Sequence, residues 1–173
     1  GTYSITSITN VFEGITLKLE PNVNIECDEN GKFNIAGKLI AIGNENNLIK
    51  FYGVSGVDWD GIQFLDTSPE PIFDTNGNYL SGNIFKYCKI ENIKNYTSST
   101  NYSAIYFDGS SAFFSNCHFN NINHTGNQVL KAELDEGDTL RIIDSKFTNS
   151  NVNQYLSATR LIIKNCDFIN NSM

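Results

Sequence analysis

Apolar and polar residues alternate in short runs along the chain, and four of these runs align without gaps. Each has an apolar position, a polar break, a small residue, a second apolar position and a closing Asn; the runs are 83–92, 112–121, 140–149 and 161–170. Alternation with a period of two is typical of a strand that buries one face. The pattern predicts two short strands in each run, one on either side of the break.

The polar break holds Tyr87, Asn116, Asp144 and Asn165. The parity of the apolar positions changes at this residue, and Asn and Asp tolerate left-handed backbone angles. We therefore expect a one-residue corner between the two strands of each run.

A third strand precedes each run, in the segments 61–66, 104–109, 129–134 and 155–160. Three strands and their corners make one coil, and stacked coils place each strand beside its counterpart at about 4.8 Å. The runs start 29, 28 and 21 residues apart, so the variation in length falls in loops, chiefly 67–81 and 94–103. The prediction is an all-β chain folded as a parallel β-helix of about six or seven coils.

Equivalent side chains of stacked coils should form columns. The predicted columns are an aromatic stack, an amide ladder and a row of small buried residues: Ile90, Phe119, Phe147 and Phe168; Asn92, Asn121, Asn149 and Asn170; and Cys88, Cys117, Ser145 and Cys166. Parallel side chains on adjacent coils suit the disulfide torsion poorly. We expect the cysteines to be free thiols.

Composition favours strands over helices, and the distribution of apolar and basic residues argues against membranes and nucleic acids as partners. The 173 residues include 25 Asn and 20 Ile but 6 Ala, and Asn and Ile are poorer helix formers than Ala. No apolar run approaches the roughly 20 residues that span a bilayer. The net charge is −7 and the basic residues are dispersed along the chain, so we expect neither a nucleic-acid surface nor a polybasic membrane patch.

Three N-terminal segments carry a family resemblance. Residues 14–25, residues 37–43 with 49–51, and the W-D-G-I-Q-F segment at 59–64 resemble successive coils of secreted right-handed parallel β-helix proteins, the pectate-lyase-like superfamily. The later runs resemble the short Asn- and Phe-rich repeats of adhesin-like surface proteins. The resemblance implies one right-handed β-helix domain over 1–173, with N-terminal coils in 1–53 and repeat coils in 54–173, at the cell surface or secreted.

In this superfamily, carbohydrate sites usually lie on the outward face of the first strand of each coil. The aligned strands give two outward rows there: Gln63, Tyr106, Lys131 and Ser157; and Leu65, Asp108, Glu133 and Thr159. Asp108 and Glu133 on neighbouring coils would lie roughly 5 Å apart, as in retaining glycosidases, and Lys131 could serve a lyase as base. The alternative is an ordinary ladder of mixed charges on a solvated sheet.

Aromatic and basic residues near this face are candidate glycan contacts. They are Trp59, Tyr96, Tyr102, Tyr106 and Arg160, although Trp59 equally fits a structural position. No cofactor is expected. Calcium has two weak candidate sites, between Asp108 and Glu133 and in the segment 74–78, which lacks the bidentate Glu of a calcium loop.

Two functions follow from this reading. The first is a non-catalytic stalk or adhesin that contacts cell-surface glycans, and the alternative is a polysaccharide lyase or glycoside hydrolase. The last run is followed by three residues without a capping element. We therefore expect a fragment of a longer protein or end-to-end self-association.

Overall fold

The computed structural model describes residues 1–54, 57, 59–93, 103–122, 129–150, 156–157 and 160–171, with backbone alone at 156–157. Every regular element in these residues is a β-strand, which confirms the all-β class. Within the described ranges, nineteen strands lie in three parallel sheets and two form an antiparallel hairpin.

The three sheets, named A, B and C, take their strands from the whole length of the described chain. Sheet A consists of β1 (Thr2–Ile5), β4 (Asn24–Cys27), β7 (Ile49–Gly53), β12 (Cys88–Glu91), β15 (His118–Asn120), β18 (Lys146–Thr148) and β21 (Asp167–Ile169). Sheet B consists of β2 (Ile8–Val11), β5 (Lys32–Ile35), β8 (Ile62–Phe64), β13 (Ile105–Asp108), β16 (Leu130–Glu133) and β19 (Leu156–Ser157). Sheet C consists of β3 (Thr16–Leu19), β6 (Lys38–Ile42), β11 (Ile84–Lys86), β14 (Phe113–Ser115), β17 (Leu140–Ile143) and β20 (Leu161–Lys164).

The chain visits the sheets in the fixed order A, B, C, and each return adds a strand beside the previous strand of the same sheet. Apolar side chains from all three sheets meet in one buried cluster. The expected aromatic stack begins within it, at Phe119 and Phe147, and ends at the exposed ring of Phe168. The ring centroids of Phe119 and Phe147 are 4.6 Å apart, and those of Phe147 and Phe168 are 4.8 Å apart.

The one-residue corners between sheets C and A are confirmed. Tyr87, Asn116, Asp144 and Asn165 have φ values of 52°, 55°, 50° and 53°. The closing Asn residues of the runs also adopt positive φ, which supplies a backbone reason for Asn there.

The predicted amide ladder is present only in part. Asn121 Nδ2 donates to Asn92 Oδ1 at 2.8 Å, but Asn149 Nδ2 donates to Asn120 Oδ1 at 3.2 Å instead of to Asn121. Asn121, Asn149 and Asn170 are exposed. The ladder therefore lies on the surface. Asn is favoured at these positions mainly because it tolerates the positive φ angles found there.

The four cysteines are free thiols, as expected. Cys117 Sγ lies 3.3 Å from the carbonyl oxygen of Phe85, on the preceding cycle through the sheets. At the equivalent position Ser145 Oγ donates to Ile143 O at 2.8 Å and accepts from Cys117 N at 3.1 Å. Small polar groups at this column thus link successive cycles.

One predicted strand register is wrong. Ser157 pairs with Glu133, whereas the sequence alignment placed it beside Lys131. A shift of two residues keeps every side chain on its own face of the strand, because side chains alternate with a period of two. The hydrophobic pattern therefore did not distinguish the two registers.

The 67–81 insertion forms a cover over sheet C. Its strands β9 (Ile72–Phe73) and β10 (Tyr79–Ser81) pair antiparallel. The ring centroids of Phe73 and Tyr79 lie 5.2 and 6.1 Å from that of Phe113, and the Arg141 guanidinium carbon lies 4.0 Å from the Phe73 centroid. The insertion therefore covers sheet C in this region, and the outward faces of sheets A and B carry no such cover in the described residues.

Candidate functional site

The outward face of sheet B carries a continuous row of polar side chains. Strand pairing places Asn10, Asn34, Gln63, Tyr106 and Lys131 side by side across five strands. The row is linked laterally, since Asn34 Nδ2 donates to Asn10 Oδ1 at 3.2 Å. Amide, phenol and ammonium groups in a line can donate and accept hydrogen bonds along an extended ligand.

The pairing of β13 with β16 sets the centre of this row. It places Tyr106 beside Lys131 and Asp108 beside Glu133. Tyr106 Oη lies 2.8 Å from Glu133 Oε2 and 3.4 Å from Asp108 Oδ1. Lys131 Nζ lies 2.8 Å from Glu133 Oε1 and 5.2 Å from the centroid of the Tyr106 ring. The three proposed catalytic residues thus lie in one cluster, in which the Tyr106 hydroxyl links Asp108 to Glu133 and Lys131 pairs with Glu133.

The contacts within this cluster set its protonation. Hydrogen bonds from Lys131 and Tyr106 lower the pKa of Glu133 below its ordinary value. Burial raises the pKa of Tyr106, and the neighbouring Glu133 and Asp108 raise it further. At neutral pH, Glu133 is therefore a carboxylate and Tyr106 a neutral phenol.

These states define what the cluster can do chemically. The Asp108 and Glu133 oxygens that face the same phenol oxygen are at most about 6 Å apart, a separation near that of retaining glycosidases. Glycoside cleavage also needs a protonated acid, and ionised Glu133 does not supply one. Glu133 therefore fits a hydrogen-bond acceptor or a nucleophile.

Trp59 does not belong to this surface. Its side chain is fully buried, and its Nε1 donates to the carbonyl oxygen of Glu91 at 3.2 Å. The prediction of an exposed ligand-binding ring was wrong for Trp59, and the structural alternative holds. Tyr106 is only 5% exposed and is covered by Lys131, so its ring face is not open to a ligand.

The remaining predicted contacts lie elsewhere or outside the described residues. Arg160 is exposed and directly precedes β20 of sheet C, where its carbonyl oxygen accepts from Leu140 N at 3.1 Å. Tyr96, Tyr102 and Thr159 fall outside the described residues. Segments 94–102 and 123–128 lead from sheet A into β13 and β16, so in sequence they flank the polar row.

Sequence reasoning missed the N-terminal half of the row. Asn10 and Asn34 occupy alternate positions of β2 and β5, and Lys32 Nζ donates to Gln63 Oε1 at 2.9 Å. Both strands precede the four aligned runs, so the alignment of the runs did not include them. Their Thr-Asn-Val and Phe-Asn-Ile alternation was the available signal.

No metal centre is evident in the described ranges, where no group of three or more His, Cys, Asp or Glu is arranged to hold an ion. The Asp74 carboxylate of the 74–78 segment is engaged by its own turn. Its Oδ1 accepts from the backbone nitrogens of Asn76 and Asn78 at 2.9 and 2.8 Å. This geometry is that of a polar turn at the tip of the hairpin.

Comparison with protein-family models, with curated proteins and with solved structures gave no match to this chain. In the part of the chain that the structure describes, there is no helix long and apolar enough to cross a membrane.

Proposed function

We propose that this chain is a single right-handed parallel β-helix domain of the pectate-lyase-like type, secreted or displayed at the cell surface. It acts as a non-catalytic stalk or adhesin that contacts glycans through the outward face of sheet B. The fixed A, B, C order of the strands and their in-register parallel stacking support the β-helix. The resemblance of the N-terminal segments supports the extracellular setting.

The polar row on sheet B is the observation that supports glycan contact. It combines amides at Asn34 and Gln63 with the linked Tyr106, Lys131 and Glu133. Sugars present hydroxyl groups at regular intervals, and a row of fixed donors and acceptors along a rigid sheet matches that spacing without ordering new side chains.

A panel of neutral and acidic polysaccharides tests this proposal. Binding is measured by calorimetry, and turnover by new reducing ends and by unsaturated products. Tyr106→Phe removes the hydroxyl that joins Glu133 and Asp108, so it should weaken binding about tenfold. Tyr79→Phe, on the hairpin over sheet C, also removes a hydrogen-bonded hydroxyl; it is the matched control and should bind as the parent chain does.

The second candidate is a polysaccharide lyase or glycoside hydrolase. The observation in its favour is the shared phenol that holds Asp108 and Glu133 close together beside Lys131. Turnover abolished by Glu133→Gln would replace the non-catalytic proposal with this one. Binding without turnover would support the first.

A further inference from the structure

The sequence holds two Asn-Gly pairs, each with an Asp two residues before the Asn: Asp28, Asn30 and Gly31, and Asp74, Asn76 and Gly77. The structure places both pairs in the same kind of turn. In each turn the Asn backbone nitrogen donates to the Asp Oδ1 at 2.9 Å, and the Gly nitrogen donates to the Asp carbonyl oxygen at 3.0 Å. The two pairs therefore share their local sequence and their local hydrogen bonds.

An Asn side chain that precedes Gly is thermolabile, because Gly has no Cβ to shield its backbone nitrogen. The Gly nitrogen attacks the Asn Cγ and forms a C–N bond, and the side-chain amide leaves as ammonia with the proton that the Gly nitrogen gave up. Water then opens the cyclic imide at one of its two carbonyls and yields Asp or isoaspartate. The attack requires the Gly nitrogen to leave its bond to the Asp carbonyl, so the surroundings of each Gly decide whether it occurs.

The fold holds the first pair in place. Gly31 is buried between β4 and β5, in the connection from sheet A to sheet B. A Cβ there would lie 2.8 Å from both the Cys27 Cβ and the Ile5 carbonyl oxygen, and Gly31 O accepts from Asp60 N at 2.9 Å. Rotation of this peptide would therefore push it into packed neighbours and break a bond between two cycles.

The second pair lies at the tip of the hairpin formed by β9 and β10. Asn76 and Gly77 are exposed, and Gly77 has a φ of 84°. Apart from its chain neighbours, no heavy atom lies within 4 Å of the position that a Gly77 Cβ would take. The turn is closed below the tip, since Asp74 N donates to Asn78 O at 2.9 Å and Asn78 Nδ2 donates to Asp74 Oδ2 at 2.9 Å. The tip can therefore rotate without displacing the strands.

We propose that Asn76 is a site of spontaneous modification, at which Gly77 N displaces the side-chain amide and water produces Asp and isoaspartate, whereas the fold protects Asn30. Isoaspartate adds a methylene to the main chain and a carboxylate to a turn whose N–H groups already converge on Asp74. Both changes weaken the turn, so the modification loosens the cover that the hairpin forms over Phe113. The proposal does not depend on glycan binding.

Storage of the full chain at mildly alkaline pH, followed by peptide mapping that resolves Asp from isoaspartate, tests the site. Asn76 should convert at least about tenfold faster than Asn30, because an exposed tip opens at a lower free-energy cost than a buried turn. In urea that unfolds the chain, the two rates should agree within about threefold, since the same groups then react without protection. Similar rates in the folded protein, or no conversion at Asn76, would overturn the proposal.

Hydrogen exchange measures the effect on the cover. The amides of 72–81 should exchange at least about threefold faster after storage. Asn76→Gln keeps the backbone N–H that Asp74 accepts but cannot form the five-membered imide, so its exchange should stay at the value of the fresh protein. Asn30→Gln is the matched control and should respond to storage as the parent does. Circular dichroism melting confirms that both variants fold.

Unchanged exchange in a converted parent would overturn the effect on the cover. The same acceleration in stored Asn76→Gln would also overturn it, because the cause would then lie at another residue.

Discussion

At the scale of single residues, the clearest determinant of this fold is the left-handed corner. Asn116, Asp144 and Asn165 occupy corners with positive φ, and the sequence predicted them from residue type and from the change in parity. Tyr87 occupies the same corner without a side chain suited to it. The position in the repeat therefore fixes the left-handed backbone conformation. The residue type at that position changes only the free-energy cost of adopting it.

Tyr87→Asn should stabilise the protein by about 0.5–1 kcal/mol, because Asn tolerates the left-handed region better than Tyr. The free energy of unfolding in urea measures this change. Asn116→Ala should destabilise by about 1 kcal/mol at the equivalent corner. Asn24→Ala, at a strand position of β4, is the control, and a loss there as large as at Asn116 would contradict the corner argument.

Glu70 gives a second prediction at this scale. Its pKa is raised from 4.5 to about 7, chiefly by burial and to a smaller extent by Asp138 and Asp135, while hydrogen bonding from Ser111 opposes the rise. The folded state therefore binds this proton more tightly than the unfolded state. The stability is fully present below about pH 4.5 and is lost as the pH rises through about 7.

Relative to Glu70→Gln, the parent chain should lose about 1–2 kcal/mol of stability between pH 4.5 and 8. This figure is reduced from the full linkage value because the carboxyl is partly exposed. Urea unfolding at both pH values measures it. Parallel pH curves for the two proteins would contradict the prediction.

At the scale of strands, the aligned runs predicted which positions share a column. The pairing of Phe119 with Phe147, and of Phe147 with Phe168, confirms the aromatic column. The predicted register of Ser157 was wrong by two residues. Periodicity cannot detect such a slip, because it keeps the same side chains on the buried face. Register there depends on how the strand docks against β16.

Phe147→Ala should destabilise the protein by about 3–5 kcal/mol, because its ring is only 3% exposed and stacks between Phe119 and Phe168. Phe168→Ala removes the same ring at the end of the stack, where 45% is exposed, and should cost about 1 kcal/mol. Thermal melting of the two variants tests the difference. Equal losses would show that the column is not a continuous buried stack.

At the scale of the whole molecule, the last cycle differs from those before it. Leu161, Ile163 and Phe168 of β20 and β21 are 36%, 37% and 45% exposed, although their counterparts in earlier cycles are buried. We propose that this surface supports end-to-end association between copies of the chain.

Sedimentation velocity should show a concentration-dependent shift from monomer to dimer. Ile163→Lys/Phe168→Lys should abolish this shift, because a charged surface opposes burial of the end strands. Ile72→Lys/Leu80→Lys places the same charges on exposed apolar residues of the hairpin and is the matched control. A monomer at all concentrations, or equal effects of both variants, would contradict the proposal.

The sequence by itself determined the strands, the corners and the buried columns, because alternation and left-handed angles are properties of a few neighbouring residues. It also located Asp108, Lys131 and Glu133 on adjacent strands, since the repeat aligned them. It did not determine whether Trp59 is buried or exposed, because its burial depends on how the surrounding polypeptide packs.

Only the tertiary structure decided which residues from distant parts of the chain share a surface. It placed the insertion over sheet C and extended the sheet B row to Asn10. It also collected Lys50, Lys89, His118 and Lys146, which lie 28 to 39 residues apart in the sequence, into one line. The physical reason is that parallel stacking converts a separation of one cycle in sequence into a neighbour about 4.8 Å away in space.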